Sequence, residues 1–200
     1  MIKNILFDFG DVFINLDKGA TLRELSEAGY DVIAAELYPL MISYEKGLLP
    51  TSEFVKSAQY YFPGLETMDL ISAWNAIILD FPEDRLTFLK QLAARENYRL
   101  FLLSNTNDLH ITKVKKEMGE KKFNAFRKCF EGFYLSHELK MRKPDAEVFL
   151  TILENHSLKP NETLFVDDTL EHIVSADRLG LKTWHLQVGK EAVTDLDKHL

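Results

Sequence analysis

Apolar and polar positions along the chain follow two different periods. Short, nearly continuous apolar runs occur at Ile2–Phe7, Tyr98–Leu103, Phe133–Leu135, Thr163–Val166 and Lys182–Val188. Runs without alternation suit strands covered on both faces, as in a parallel sheet. Helical spacing fills the stretches between the later runs. Glu83–Arg95 follows Pro82 and repeats Leu86, Leu89 and Leu92 along one face. Asp108–Met118 follows Asn107, a residue type favoured at helix N-caps. Pro144–Glu154 opens on a proline suited to a first turn, and Thr169–Leu179 stops at Gly180, suited to a C-terminal cap. Strand–helix alternation of this kind predicts an α/β fold with a Rossmann-like, doubly wound parallel sheet.

The alternation breaks once. From Lys18 to Leu79 the pattern gives only helices: Lys18–Ala28, Val32–Glu45, Ser52–Tyr61 and Thr67–Leu79, interrupted at Gly47–Pro50 and Phe62–Gly64. This is far longer than an ordinary crossover. It reads as an inserted α-helical cap over residues 16–82, with residues 1–15 and 83–200 forming the sheet domain.

Composition narrows the class. The chain has 200 residues, 31 acidic and 24 basic, for a net charge of −7. That balance disfavours a broad nucleic-acid surface. Fourteen Phe, seven Tyr and two Trp give enough apolar surface to exclude disorder. The single cysteine, Cys129, forms no intrachain disulfide and reads as a small buried hydrophobe within Phe126–Phe130. The longest stretch without Asp, Glu, Lys or Arg is Leu70–Leu79, too short to span a membrane. Only Lys3 precedes Asp8, so no signal peptide is legible. The expectation is a cytoplasmic protein with no membrane partner, and a monomer, because no heptad run or long apolar stripe is visible.

Ligands of such a sheet sit at the C-terminal ends of its strands. The residues that follow the first four strands are Asp8-Phe9-Gly10-Asp11, Ser104-Asn105-Thr106-Asn107, Ser136-His137 with Arg142-Lys143-Pro144 soon after, and Asp167-Asp168. Carboxylates gathered at one sheet edge repel one another unless a cation intervenes. A carboxylate nucleophile, a hard cation, a hydroxyl and a lysine suit phosphoryl transfer. Each residue alone has a plainer role, Ser104 as a turn hydroxyl or Asp167–Asp168 as a helix cap. Together, in this order after four strands, they point to a site.

The order resembles the haloacid dehalogenase superfamily. ILFDFGDVF (5–13) takes the place of its first motif, LFLLSN (100–105) the second, MRKPDAEVF (141–149) the third and LFVDDTLEHIVSADRLG (164–180) the fourth. More narrowly, LSNTNDLH and YLSHELKMRKPDAEVF are similar to the bacterial α-D-glucose-1-phosphate phosphatases of that superfamily. The resemblance implies a Mg²⁺-dependent phosphatase of a small phosphorylated metabolite, such as a sugar phosphate. Asp8 would be the nucleophile, carrying an aspartyl-phosphate. Asp8, the Gly10 carbonyl and Asp168 would hold Mg²⁺, with Asp167 at the metal or orienting Lys143. Ser104, Asn105, Lys143, Phe9 and Gly10 would bind the phosphate.

Two departures stand out. Gly10 occupies the place where most phosphatases of the superfamily carry a second Asp as general acid, and Asp11 is the nearest carboxylate. His172 stands where Asn is common, and would contact a metal-bound water or line the helix start. Tyr44-Glu45-Lys46-Gly47 and Trp74-Asn75 in the cap are candidate substrate contacts or cap core, and Asn107 and His110 are candidates at the mouth of the site. Two other readings share the scaffold: a metal-independent 2-haloacid dehalogenase, and a non-catalytic binding protein prompted by Gly10. The Asp167–Asp168 pair tells against the first, and retention of Asp8, Ser104, Lys143 and Asp168 together against the second.

Overall fold

The computed structural model of the protein describes residues 1–30 and 35–200. Five strands, β1 (Asn4–Phe7), β2 (Arg99–Ser104), β3 (Gly132–Leu135), β4 (Thr163–Asp167) and β5 (Lys182–His185), form one sheet in the order β3-β2-β1-β4-β5. Every pairing is parallel, and Phe7 lies in register with both Leu102 and Val166. The chain order reverses at β1, which opens a crevice beyond the ends of β1 and β4.

Both faces of the sheet are covered, which explains the unbroken apolar runs. Ile5, Phe7, Leu100, Leu102, Leu164 and Val166 enter one hydrophobic cluster, and Leu6, Phe101, Leu103 and Phe165 the other. Alternate residues of a strand point to opposite faces, so each run must be apolar throughout.

The helical insertion comprises α1 (Ala20–Glu27), α2 (Leu37–Glu45), α3 (Thr51–Gln59) and α4 (Thr67–Asn75). These helices enclose a cluster of their own that includes Leu25, Leu37, Tyr44, Phe54, Phe62 and Leu70. Of the expected helix Val32–Glu45, the part at 32–34 lies outside the described residues. The expected helix to Leu79 ends at Asn75 instead, because the chain beyond it pairs with the chain entering the insertion. The Asp17 amide donates to the Ile77 carbonyl and the Leu79 amide to that of Asn15, each within 3.0 Å, and the Asn15 side chain reaches Asp80 at 3.0 Å.

In the sheet domain, α5 (Glu83–Ala94), α6 (Asp108–Met118) and α7 (Glu120–Arg127) cover the first face. After the short α8 (Ser136–Leu139), α9 (Ala146–Asn155) and α10 (Leu170–Arg178) cover the second. Asn107 caps α6 as expected, its side chain accepting from the His110 amide. Helix α7 was not foreseen. It follows α6 across Gly119, whose φ of +76° breaks the helix at little cost. Pro144 does not open α9. It follows Lys143 across a cis peptide bond, and Asp145 takes the N-cap position. Strand β5 ends at His185 rather than Val188. Cys129 is only partly buried at the edge of the first cluster, its Sγ 3.4 Å from the Ala125 carbonyl. Among the described residues, no helix is long and apolar enough to cross a membrane.

Phe126 is the centre of the first face. It is fully buried, with the rings of Phe9, Phe13, Phe81, Phe130 and Phe133 at centroid distances of 5.1–6.1 Å. Truncating such a residue removes its transfer energy and leaves a cavity. Phe126→Ala is therefore expected to lower unfolding stability by about 3–5 kcal/mol, read as a shift of the urea midpoint.

Candidate active site

The site is built around a cation with no exposure to solvent. The Lys143 ammonium is fully buried and lies 2.5 Å from Asp8 Oδ1 and 2.7 Å from Asp167 Oδ2. Asp8 follows the last residue of β1 and Asp167 ends β4, so the lysine bridges the two strands at the reversal point. Its main chain is held as tightly. The Asn105 carboxamide accepts from the Lys143 amide at 2.9 Å and donates to the Lys143 carbonyl at 2.8 Å. Asn105, expected at the phosphate, thus uses its side chain to fix the lysine.

One ammonium faces two carboxylates, and they settle unequally. Burial pushes Asp167 up, but Lys143 and then His172 outweigh it and carry the carboxyl down to about 2. Its Oδ1 also accepts from the Thr169 amide at 2.8 Å, and His172 Nδ1 lies 3.0 Å from Oδ2. His172, open between two roles in the sequence, is an Asp167 partner. Asp8 has fewer donors. Burial pushes it up to about 7 against the pull of Lys143, with Asp167 adding to the rise. Asp8 is therefore the member whose charge wants a further cation.

The donor set answers to that need. Asp8, Asp167 and Asp168 each offer a carboxylate oxygen, and these lie within 4.8 Å of one another. An all-oxygen set suits a hard divalent cation. Asp168 also meets Lys18, whose Nζ is 2.5 Å from Asp168 Oδ2 and 3.1 Å from Asp11 Oδ2. The sequence reading passed over Lys18, because a lone lysine at a helix start has no signature. Asp11 has a φ of +54°, and its Oδ1 accepts from the Leu16 amide at 3.0 Å. Its carboxylate is thus turned towards Leu16 and Lys18. At Gly10, an added Cβ would sit 2.6 Å from Leu16 Cδ1, so that side chain would have to swing away.

A cavity of about 680 Å³ opens above these groups, between the insertion and the sheet domain. Asp8, Phe9, Gly10, Ser104, Asn105 and Asp168 line it, whereas Lys143 and Asp167 lie beneath its floor. Phe9 lines it while its own ring packs against Phe126 at 5.3 Å. Glu45, one of the candidate substrate contacts, also lines it, as does Arg142, to which the sequence assigned no role. Glu45 of α2 pairs with Arg142, just before Lys143, at 2.7 Å, and burial raises its carboxyl despite that partner. Tyr44 belongs to the core of the insertion, stacked on Phe54 at 4.1 Å. Trp74 does both, packing on Phe54 and lining the cavity.

His110 closes the seam between the insertion and α6. Asn107 Oδ1 accepts from the His110 amide at 3.1 Å, which turns the Asn107 NH₂ towards His110 Nδ1, also at 3.1 Å. The other nitrogen, Nε2, donates to the Trp74 carbonyl at 3.1 Å. One proton per ring satisfies this arrangement, and a second would meet the Asn107 donor. Burial accordingly draws the imidazole down to about 4, with Lys113 adding to the fall and the Trp74 contact opposing it.

The model of the haloacid dehalogenase-like hydrolase family matches residues 2–180. The chain is 28% identical to a D-ribitol-5-phosphate phosphatase of Bacteroides thetaiotaomicron, over 96% of this chain and 95% of that protein. It is 24% identical to a sesquiterpene phosphatase of Aspergillus oryzae, over 92% and 89% respectively. Among solved structures, a HAD family enzyme of Bacteroides thetaiotaomicron, in complex with magnesium and inorganic phosphate, superposes with a TM-score of 0.82. It shares 33% identity, with 96% of this chain and 97% of that one covered.

The His110 arrangement has a pH consequence. The folded imidazole titrates near 4 and the unfolded one near 6.5. Between those values the unfolded chain binds the extra proton, so stability is full above pH 6.5 and falls as pH drops towards 4. The expected loss is roughly 1–3 kcal/mol. Urea midpoints at pH 7 and pH 4.5 measure it, and His110→Gln should show a smaller drop.

Proposed function

The chain belongs to the haloacid dehalogenase-like hydrolases, and on that premise we propose that it is a Mg²⁺-dependent phosphomonoesterase acting through Asp8. The observation that carries this reading is the Asp8 carboxylate at the cavity floor, 2.5 Å from a fully buried lysine and beside two further carboxylates. A structural ion pair has no need of an added acidic cluster opening on a cavity.

Asp8 attacks the phosphorus atom, the ester oxygen departs, and an aspartyl-phosphate forms that water then hydrolyses. Lys143 fixes the Asp8 carboxylate and offsets charge on the transferred group. Ser104 Oγ, at the end of β2, and the Asn105 main chain hold phosphoryl oxygens, with Phe9 and Gly10 presenting their backbone from the β1 turn. Asp8, Asp168 and the Gly10 carbonyl would hold Mg²⁺, with Asp167 behind them keeping Lys143 in place. When bound, the ion supplies positive charge against the phosphoryl oxygens. Neither Gly10 nor Asp11 presents an acid to the departing oxygen. Such proton transfer typically contributes about 10²–10⁴-fold, so esters of weakly acidic alcohols are turned over slowly.

Residues 16–82 act as the cap over this floor. For the organic part of the substrate, the resemblance of LSNTNDLH and YLSHELKMRKPDAEVF to glucose-1-phosphate phosphatases implies a sugar phosphate such as glucose 1-phosphate. The relatives' names extend the range from a sugar alcohol to a sesquiterpene.

Hydrolysis of p-nitrophenyl phosphate and of a sugar-phosphate panel, with Mg²⁺ and with EDTA, tests the mechanism. EDTA is expected to abolish turnover, and Asp8→Asn to lower it by about 10³-fold or more. Asp168→Ala should raise the Mg²⁺ concentration needed for half-maximal rate. Turnover that ignores EDTA, or that survives Asp8→Asn, overturns the reading.

A further inference from the structure

The side of the cavity that the insertion supplies is mostly hydrocarbon. Leu22 of α1, Tyr38, Met41 and Ile42 of α2, Trp74 of α4, and Ile77 line it. Leu22, Tyr38 and Ile42 are exposed at 43%, 63% and 38%, although their neighbours on the same helices are buried in the insertion's own core. Helix α2 thus carries apolar residues on two sides. Leu37 and Tyr44 enter the hydrophobic cluster, while Tyr38 and Ile42 line the cavity.

The polar side chains on this wall are already engaged. Thr21 Oγ1 donates to the Trp74 carbonyl at 3.4 Å. Glu45 is paired with Arg142 at 2.7 Å, and Lys18 with Asp168 at 2.5 Å. Among the described residues lining the insertion's side, that leaves the Tyr38 phenol at its outer, most exposed point. A hydroxyl pressed against such a surface loses its water without gaining a partner, whereas a methylene gains by the same burial.

Apolar residues line the cavity beyond the insertion's helices as well. Ile14, Ile78 and Val114 line this cavity and also a neighbouring one of about 450 Å³, where Asp80, Glu117 and Lys122 join Leu79, Phe81 and Met118.

Resting on the reading of Asp8 as phosphoryl acceptor, we propose that the ligand's organic part is a hydrocarbon chain. The phosphate takes the polar floor, and the chain lies along Leu22, Ile42 and Ile77 towards Val114. The class is a phosphate monoester of an apolar alcohol, in place of the sugar phosphate that the sequence resemblance implies.

Binding of n-alkylphosphonates tests this without any chemical step. Calorimetry on the intact protein with Mg²⁺ would measure Kd from ethyl- to octylphosphonate, and octylphosphonate, D-ribitol 5-phosphate and glucose 1-phosphate would be compared with one another on the Asp8→Asn protein. Affinity should rise about threefold to fourfold per added methylene while the chain remains inside. Ile42→Asn, at a position open to the cavity, should flatten that slope. A Kd independent of chain length overturns the proposal. So does an unchanged slope in Ile42→Asn, or a sugar or polyol phosphate that outbinds octylphosphonate. The outcome is separable from the mechanism. A steep slope combined with turnover that survives Asp8→Asn keeps the hydrocarbon site and removes the nucleophile. A flat slope combined with turnover lost in Asp8→Asn does the reverse.

Discussion

Everything in the site hangs on one buried ammonium. Lys143 has no access to water, and an isolated charge there would be prohibitively costly. Its two carboxylate partners come from the ends of β1 and β4, and its main chain is pinned by Asn105 just beyond β2. Three adjacent strands must therefore end in register for the charge to be satisfied. The parallel pairing of Phe7 with Leu102 and Val166 provides that alignment. Sheet register and site geometry are in this sense the same constraint, met once by the apolar runs and once by the ion pairs.

Much of this was legible because two-face burial leaves a plain trace. The strands are unbroken apolar runs, since Leu6 and Phe165 serve one face while Phe7 and Val166 serve the other. The Asn107 cap marked the start of α6 because an Asn side chain does a specific job there. Helix α7 escaped notice because EKKFNAFR buries only Phe123 and Phe126, too few positions to set a period. Pro144 misled because a proline is equally at home in a first helical turn and in the loop before one.

At the site, the residue types were readable and the partnerships were not. Asp8, Lys143 and Asp167 follow strands in sequence, so their gathering could be inferred from topology alone. Nothing local distinguishes an Asn105 that binds a ligand from one that clamps the backbone of Lys143, thirty-eight positions away. Lys18 and the Glu45–Arg142 pair depend on how the insertion sits over the sheet, which no periodicity encodes. The LYPLMISYE segment shows the limit most clearly. It is apolar around most of its circumference, so its pattern cannot say which side faces the core of the insertion and which the cavity.

The pairing of Asn15 and Asp17 with Ile77, Leu79 and Asp80 also bears on the order in which the molecule assembles. Strand β1 must find β2 across the whole helical insertion, and closing so long a loop is an entropic burden that slows folding. Once the four helices have gathered around Tyr44 and Phe54, those ladder contacts hold the ends of the insertion side by side. The remaining search for β2 then spans the few residues between β1 and Asn15 and the α5 segment between Asp80 and Arg99. An insertion that lengthens the chain between two neighbouring strands can in this way shorten the distance that folding must cover, provided it folds first.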